Sequence, residues 1–131
     1  FRKIAEWWRQ RERDGHVLIL LGPAEEKETK EWRTVGETVT GLSLIQVAAL
    51  LSRAELYLGN DSGVSHLAGA VGARGLVLFG PTQPQKWRPL GGSLSVVQNT
   101  AYRAVFPNSE GISLDEISVD EVIAGLVLLG G

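Results

Sequence analysis

Cysteine is absent from this chain, and so is methionine. Without cysteine there is no disulfide framework and no thiolate metal site. That is compatible with a cytoplasmic chain and does not establish one. No signal peptide opens the sequence, because "FRKIAEWWRQRERDG" is already amphipathic and helical in pattern. Long apolar runs are absent too. The longest near the end, "VIAGLVLLGG", is roughly half of what a membrane span needs. Nor is there an excess of basic charge. Thirteen Lys and Arg against fifteen Asp and Glu leave a net charge of -2. That argues against nucleic acid as the main partner, since polyanion binding needs a basic surplus.

What is present is an ordinary globular mix, 44% hydrophobic and 21% charged. At 131 residues the length predicts one domain, able to bury roughly two thirds of its unfolded surface. An opening in mid-helix and the lack of any methionine lead us to expect a piece of a longer protein.

The patterning alternates. Phe1 to about Arg13 reads as a helix with Ile4, Trp7 and Trp8 on one side, ended by Asp14-Gly15. "HVLILLG" is a continuous apolar run and predicts a strand buried on both faces. "PAEEKETKEW" predicts a helix, with Pro23 at its first position and acids in its first turn. "TVGETVTG" is ambiguous and could be a short strand. "SLIQVAALLSRA" places Leu44, Val47, Ala48 and Leu51 on one helical face, with Ser43 as N-cap. "ELYLGN" predicts a strand, and "SGVSHLAGAVGA" a helix facing inward through Val64, Leu67, Ala68 and Val71. "GLVLFG" and "LSVVQ" predict two further strands. "NTAYRAVFPNSEGISL" predicts a long surface connection. The last helix begins at Ser118, spaced from Glu121 as in a capping box. Strands alternating with helices mean parallel pairing and the doubly wound α/β class.

Three strands end alike, in "LILLG", "LYLGN" and "LVLFG". In a parallel sheet such endings share the carboxyl edge, where open α/β folds bind ligands. The loop Gly59-Asn60-Asp61-Ser62-Gly63 leads straight into a helix start. Unpaired N–H groups and the helix dipole favour an anion there, most often phosphate or pyrophosphate. Gly63 admits a ligand oxygen close to the backbone, and Ser62 offers a hydroxyl. The plainer alternative is that Asp61 or Ser62 only caps the helix.

Other chemistries fit less well. Ser65 and His66 are adjacent on a helix and do not face each other, and no G-x-S-x-G elbow is present, which argues against a hydrolytic triad. His66 lies in the first helical turn, where the dipole favours a neutral imidazole that hydrogen-bonds a ligand or a neighbouring loop. His16 precedes a strand and reads as a surface residue. A phospho-accepting receiver domain needs an acidic pair after its first strand, and Glu25-Glu26 is offset from that place. In "FGPTQPQKWRPLGG" three prolines stiffen the loop. Thr82 can donate to a phosphate there. Trp87 offers a flat surface or packs on the sheet edge.

The stretch "GNDSGVSHLAGAVGARGLVLFGPTQPQKWRPLGG" resembles the most diagnostic part of the family 9 glycosyltransferases, the ADP-heptose:lipopolysaccharide heptosyltransferases and their relatives. Their pattern Asp-[Ser/Thr]-Gly-x-x-His-Leu, small residues, Gly, strand, Phe-Gly-Pro-Thr-x-Pro is met by Asp61-Ser62-Gly63, His66-Leu67, Gly72, Phe79-Gly80-Pro81-Thr82 and Pro84. "LLGPAEE" and "GLSLIQVAALLSRAELYLGN" follow the same order. The resemblance implies a Rossmann-like parallel sheet with helices on both faces, the C-terminal half of a GT-B fold lacking its first strand. It implies nucleotide-sugar donor binding, with ADP as the linked nucleotide. Ser62 and Gly63 would hold the pyrophosphate, with Asp61 and His66 near phosphate or sugar. Glu25 or Glu26 would reach the ribose, Leu42 the base, and Thr82 the same cleft. The parent reaction would invert the sugar on transfer to a lipid-linked saccharide, with no cofactor and no essential metal. It would take place in the cytoplasm or at the inner face of the inner membrane.

The resemblance places no catalytic residue in this chain, because the base belongs to the acceptor-binding domain. In the family this domain normally starts with one more strand and a Lys-x-Trp loop, which the resemblance places just ahead of "FRKIAEWW". Arg74 stands where proline is common. Two other classes stay open: a non-catalytic nucleotide-binding domain, and half of a sugar-nucleotide epimerase of the same fold.

Overall fold

In the computed structural model the described residues are 1–12, 14–80, 82, 84–98, 114 and 117–130. They divide into two compact units, Phe1–Leu44 and Ile45–Gly131. Most of the stretch expected to be a long surface connection lies outside the described residues.

The first unit opens with α1 (Arg2–Arg11). Its apolar side is the expected one: Ile4 is buried, while Trp7 and Trp8 are half-buried and meet edge to face at 6.0 Å. Arg9 and Arg11 fall in the last turn, where cations suit the dipole. Two short parallel strands follow, β1 (Leu18–Leu20) and β2 (Glu37–Val39), with Ile19 opposite Thr38. The ambiguous "TVGETVTG" therefore contains a strand.

Two expectations fail in this unit. β1 is not buried on both faces, since Leu18 is 43% exposed and Ile19 and Leu20 are half-buried. It belongs to a two-stranded ladder, and the buried member of the run is Leu21, just past the strand, which donates its N–H to Val39 O at 3.0 Å. The expected helix from Pro23 is also broken up. A 3-10 turn, Glu26–Glu28, precedes a single helical turn, α2 (Thr29–Trp32). Residues 23–28 are all exposed, so no apolar stripe fixes a longer helix. What holds α2 is Trp32, which donates from Nε1 to Glu28 Oε2 at 3.3 Å and lies 5.5 Å beneath the Arg2 guanidinium.

The second unit contains nearly all of α3 (Leu44–Arg53), then β3 (Tyr57–Asn60), α4 (Gly63–Ala70), β4 (Arg74–Phe79), α5 (Pro84–Trp87), β5 (Ser93–Gln98) and α6 (Val119–Leu128). Burial on α3 starts at Val47 and continues at Leu51, whereas Leu44 is 76% exposed, contrary to the expected stripe. Ile45 beside it is exposed as well, so the packed face begins one turn into the helix.

The strands form a parallel sheet in the order β3-β4-β5, with Leu58 opposite Leu76 and Leu78 opposite Val97. β4 is central and buried from Gly75 to Phe79, as a continuous apolar run between two neighbours requires. Burying each of its large side chains stabilises the fold by roughly 1.5–3 kcal/mol. α6 packs Gly125 on Leu76, where a Cβ would come within 2.9 Å of Cδ1. The expected capping box is present. Ser118 Oγ accepts from the Glu121 N–H at 3.1 Å and Glu121 Oε2 accepts from the Ser118 N–H at 3.1 Å. Among the described residues every strand is parallel to its ladder neighbour, in one ladder of two strands and one of three, so the class is α/β.

Candidate functional site at the carboxyl end of β3 and β4

Parallel pairing of β3 with β4 puts Asn60 opposite Leu78. The chain past both strand ends therefore emerges at one edge. There Thr82 Oγ1 donates to Asp61 Oδ2 at 2.6 Å. Two residues expected in one cleft from separate loops are thus joined directly. With Asn60, Leu78, Gly80 and Leu114 they line a cavity of about 270 Å³, just under the usual range for a small-molecule site.

Ser62 is the N-cap of α4, with extended backbone and its Oγ accepting from the Ser65 N–H at a long 3.5 Å. The capping alternative is therefore realised, and it uses only one of the helix's first donors. The N–H groups of Gly63 and Val64 have no acceptor among the described residues. Gly63 needs its glycine neither for backbone nor for packing. Its φ is not positive, and a Cβ there would meet nothing within 4 Å. Among the described residues that side of Gly63 is open, and anions favour a helix N-terminus.

His66 lies one residue past the Ser65 amide, exposed, with no side-chain hydrogen bond to another described residue. Leu67 and Val64 are half-buried, and the most buried residues of α4 are Ser65, Ala68 and Gly69. The expected inward face, Val64, Leu67, Ala68 and Val71, is thus rotated. The cause is Gly69, which lets the turn of residues 89–92 approach closely. A Cβ at Gly69 would lie 2.7 Å from Leu90 O, and Gly91 and Gly92 take positive φ to make that turn.

Ser65 was not expected to matter except as a nucleophile, and it cannot be one. It is fully buried and its Oγ donates to Asn60 O at 2.5 Å. The Tyr57 hydroxyl sits 2.9 Å from the same Oγ. Since Ser65 spends its proton on Asn60, Tyr57 is the donor of that second bond. Burial holds the Tyr57 phenol above its ordinary value of 10.0, and the nearby Ser62 hydroxyl pulls it partly back. The sequence signal for this network is Tyr57-x-Gly59. At strand period the two share a face, and a Cβ on Gly59 would run into the tyrosine ring and hydroxyl.

Three expected site residues belong to the first unit. Glu25 follows β1 in a turn closed by its N–H to Gly22 O at 3.0 Å. Its Oε2 lies over Gly22, 2.9 Å from where a Cβ would stand. Glu26 opens the 3-10 turn and is exposed. Leu42 is half-buried and follows Gly41, whose φ is +69°. His16 is exposed, as expected. Trp87, 49% exposed, ends α5.

A family model described as glycosyltransferase family 9 (heptosyltransferase) matches residues 1–110. The chain belongs to that family. Two solved structures are similar in fold. One is the glycosyl transferase family 9 protein of Veillonella parvula DSM 2008, 23% identical with a TM-score of 0.80. The other is the E. coli heptosyltransferase WaaC with ADP, 21% identical with a TM-score of 0.79. Each match covers 98% of this chain, but only 40% and 38% of the solved chains. The chain thus spans about two fifths of the length of the structures it matches. No curated protein matches it. As a family 9 glycosyltransferase chain it retains neither the triad nor the receiver-domain reading. Among its described residues no helix is long and apolar enough to cross a membrane.

Proposed function

We propose that this family 9 chain is the donor-binding part of a glycosyltransferase, and that the β3–α4 loop receives the diphosphate of a nucleotide-sugar. The observation that carries this is the Asp61–Thr82 junction beside a helix N-terminus whose first two amides have no acceptor among the described residues and whose Gly63 has none of them within 4 Å of its Cβ position. In this reading the Gly63 and Val64 amides and the Ser62 hydroxyl hold the phosphate oxygens. Thr82 keeps the Asp61 carboxylate turned away from them, which limits repulsion between like charges. His66, exposed two residues past Val64, donates to phosphate or sugar. Glu25 or Glu26 takes the ribose hydroxyls, and Leu42 lies against the base.

The reaction is transfer of a sugar, heptose from ADP-heptose, to a lipopolysaccharide core acceptor with inversion. This part's contribution is electrostatic. Charge develops on the leaving diphosphate as the glycosidic bond breaks, and preorganised amides stabilise it more in the transition state than in the ground state. The base that deprotonates the acceptor hydroxyl lies outside this chain, so the chain alone transfers no sugar. The similarity in fold to a heptosyltransferase solved with ADP supports adenine as the base.

Calorimetric titration with ADP, UDP, GDP and CDP tests the reading. ADP is expected to bind most tightly, and His66→Ala to weaken it. Equal absence of heat from all four nucleotides, at millimolar concentration, would contradict it.

A further inference from the structure

The donor-loop reading leaves one group unused. Tyr57 is a part-buried aromatic hydroxyl on β3 that does not line the Asp61–Thr82 cavity and bonds instead to the hydroxyls of Ser65 and Ser62. Its ring crosses Gly59 on the same face of β3, and its hydroxyl donates to Ser65 Oγ at 2.9 Å. Ser65 Oγ in turn donates to Asn60 O at 2.5 Å. The relay therefore starts on β3, enters the first turn of α4, and returns to the last residue of β3. Everything between its ends is the loop that carries Asp61, Ser62 and Gly63.

We infer that Tyr57 is a positioning residue for the donor loop. It rests on the proposal that this loop binds a nucleotide diphosphate. The physical argument concerns the loop's two ends. A glycine-bounded loop gains conformational freedom unless both ends are pinned. One pin is the ladder, through Asp61 N–H to Leu78 O at 3.2 Å. At the α4 end the ties from backbone N–H groups are long, the Ser62 cap at 3.5 Å and the His66 N–H to Ser62 O bond at 3.3 Å, beside the contact of Ser62 with the Tyr57 hydroxyl itself. Those two backbone ties are weak by distance. The Ser65 hydroxyl supplies the short bond that ties that end to Asn60. Donation by Tyr57 fixes the rotor of that hydroxyl, so its proton has one direction to point, and bonds in a chain polarise and strengthen each other. Gly59 and Gly75 are what make room for it. A Cβ on Gly59 would strike the phenol, and one on Gly75 the Tyr57 backbone carbonyl.

The consequence is specific. Removing the phenol oxygen leaves Ser65 satisfied through Asn60, so the fold is kept. What is lost is the rigidity of the α4 amides relative to Asp61, and with it preorganisation for an anion.

The test compares wild type and Tyr57→Phe by amide hydrogen exchange without ligand, and by ADP affinity. Expected are exchange about three- to tenfold faster at Gly59 to Val64 alone, and an ADP Kd raised by a similar ~3- to 10-fold. A residue with a merely structural role would speed exchange throughout and leave the affinity of the folded fraction unchanged. Unchanged exchange in the loop would overturn the inference, as would a Tyr57→Phe chain that fails to fold by circular dichroism. If wild type and variant bind ADP equally, Tyr57 does not serve the site. If wild type binds no ADP while the exchange difference appears, the donor-site reading fails, and Tyr57 still orders the loop.

Discussion

Gly63 and Gly59 stand four residues apart and are glycine for opposite reasons. Gly59 is forced by its neighbour, since any Cβ meets the Tyr57 ring. At Gly63 nothing in the described chain demands it. Gly63→Ala is therefore expected to leave thermal stability unchanged or raise it, by up to about 1 kcal/mol, since glycine is a poor helix residue. The same change should weaken nucleotide binding, as a methyl group then fills the space over the first amides. Differential scanning calorimetry and nucleotide titration read the two effects separately. Ser65→Ala should behave in the reverse manner. It strips the part-buried Tyr57 hydroxyl and the Asn60 carbonyl of a partner, at a cost of roughly 1–3 kcal/mol in denaturant unfolding. Tyr57 also predicts a pH effect. Its folded pKa lies above 10.0, so its neutral form is favoured by folding. That stability is fully present below pH 10 and is lost as pH rises through the raised folded value. Tyr57→Phe should remove that component of alkaline unfolding.

At the scale of elements, the sequence was most legible where one force decided the outcome. The continuous apolar run of β4, with a strand on either side of it, became the buried strand it predicts, and the spacing of Ser118 and Glu121 became the helix cap it predicts. Ser118→Ala is accordingly expected to cost about 1 kcal/mol through loss of that cap, measurable as a shift in denaturant midpoint. Legibility failed where packing, not local pattern, set the result. The Glu-rich stretch after Pro23 has good helix formers but no stripe to bury, and only α2 survives. On α4 the periodicity identifies Ala68 as buried but not the turn of the face towards Ser65 and Gly69, because the deciding residue is a glycine. Gly69 has no side chain to enter a periodicity, yet it lets Leu90 O come close. Gly69→Ala should therefore destabilise the protein by about 1–3 kcal/mol, an overpacking penalty, although alanine is the better helix former. The candidate site was legible in the same uneven way. Asp61, Ser62, Gly63 and Thr82 stand out as strand-end residues. Tyr57 and Ser65 do not, because their hydrogen bonds link residues whose side chains look like ordinary strand and helix positions.

For the molecule as a whole, the second unit offers a cavity of only about 270 Å³ at the Asp61–Thr82 junction. That is enough for a diphosphate and too small to enclose a whole nucleotide-sugar. Glu25, Glu26 and Leu42 come from the other unit, so in the proposed reading base and ribose would be recognised by a different part of the chain from the diphosphate. Inorganic pyrophosphate and ADP should consequently compete for the same amides, with ADP binding more tightly.

An amide-resolved NMR titration with ADP therefore tests the central claim most directly. The account predicts saturable shifts concentrated at Asp61, Ser62, Gly63, Val64 and His66, with pyrophosphate reproducing those at Gly63 and Val64. ADP that leaves these amides unmoved, or shifts a distant surface instead, would contradict it, and Ser62 and Gly63 would then be no more than a helix cap.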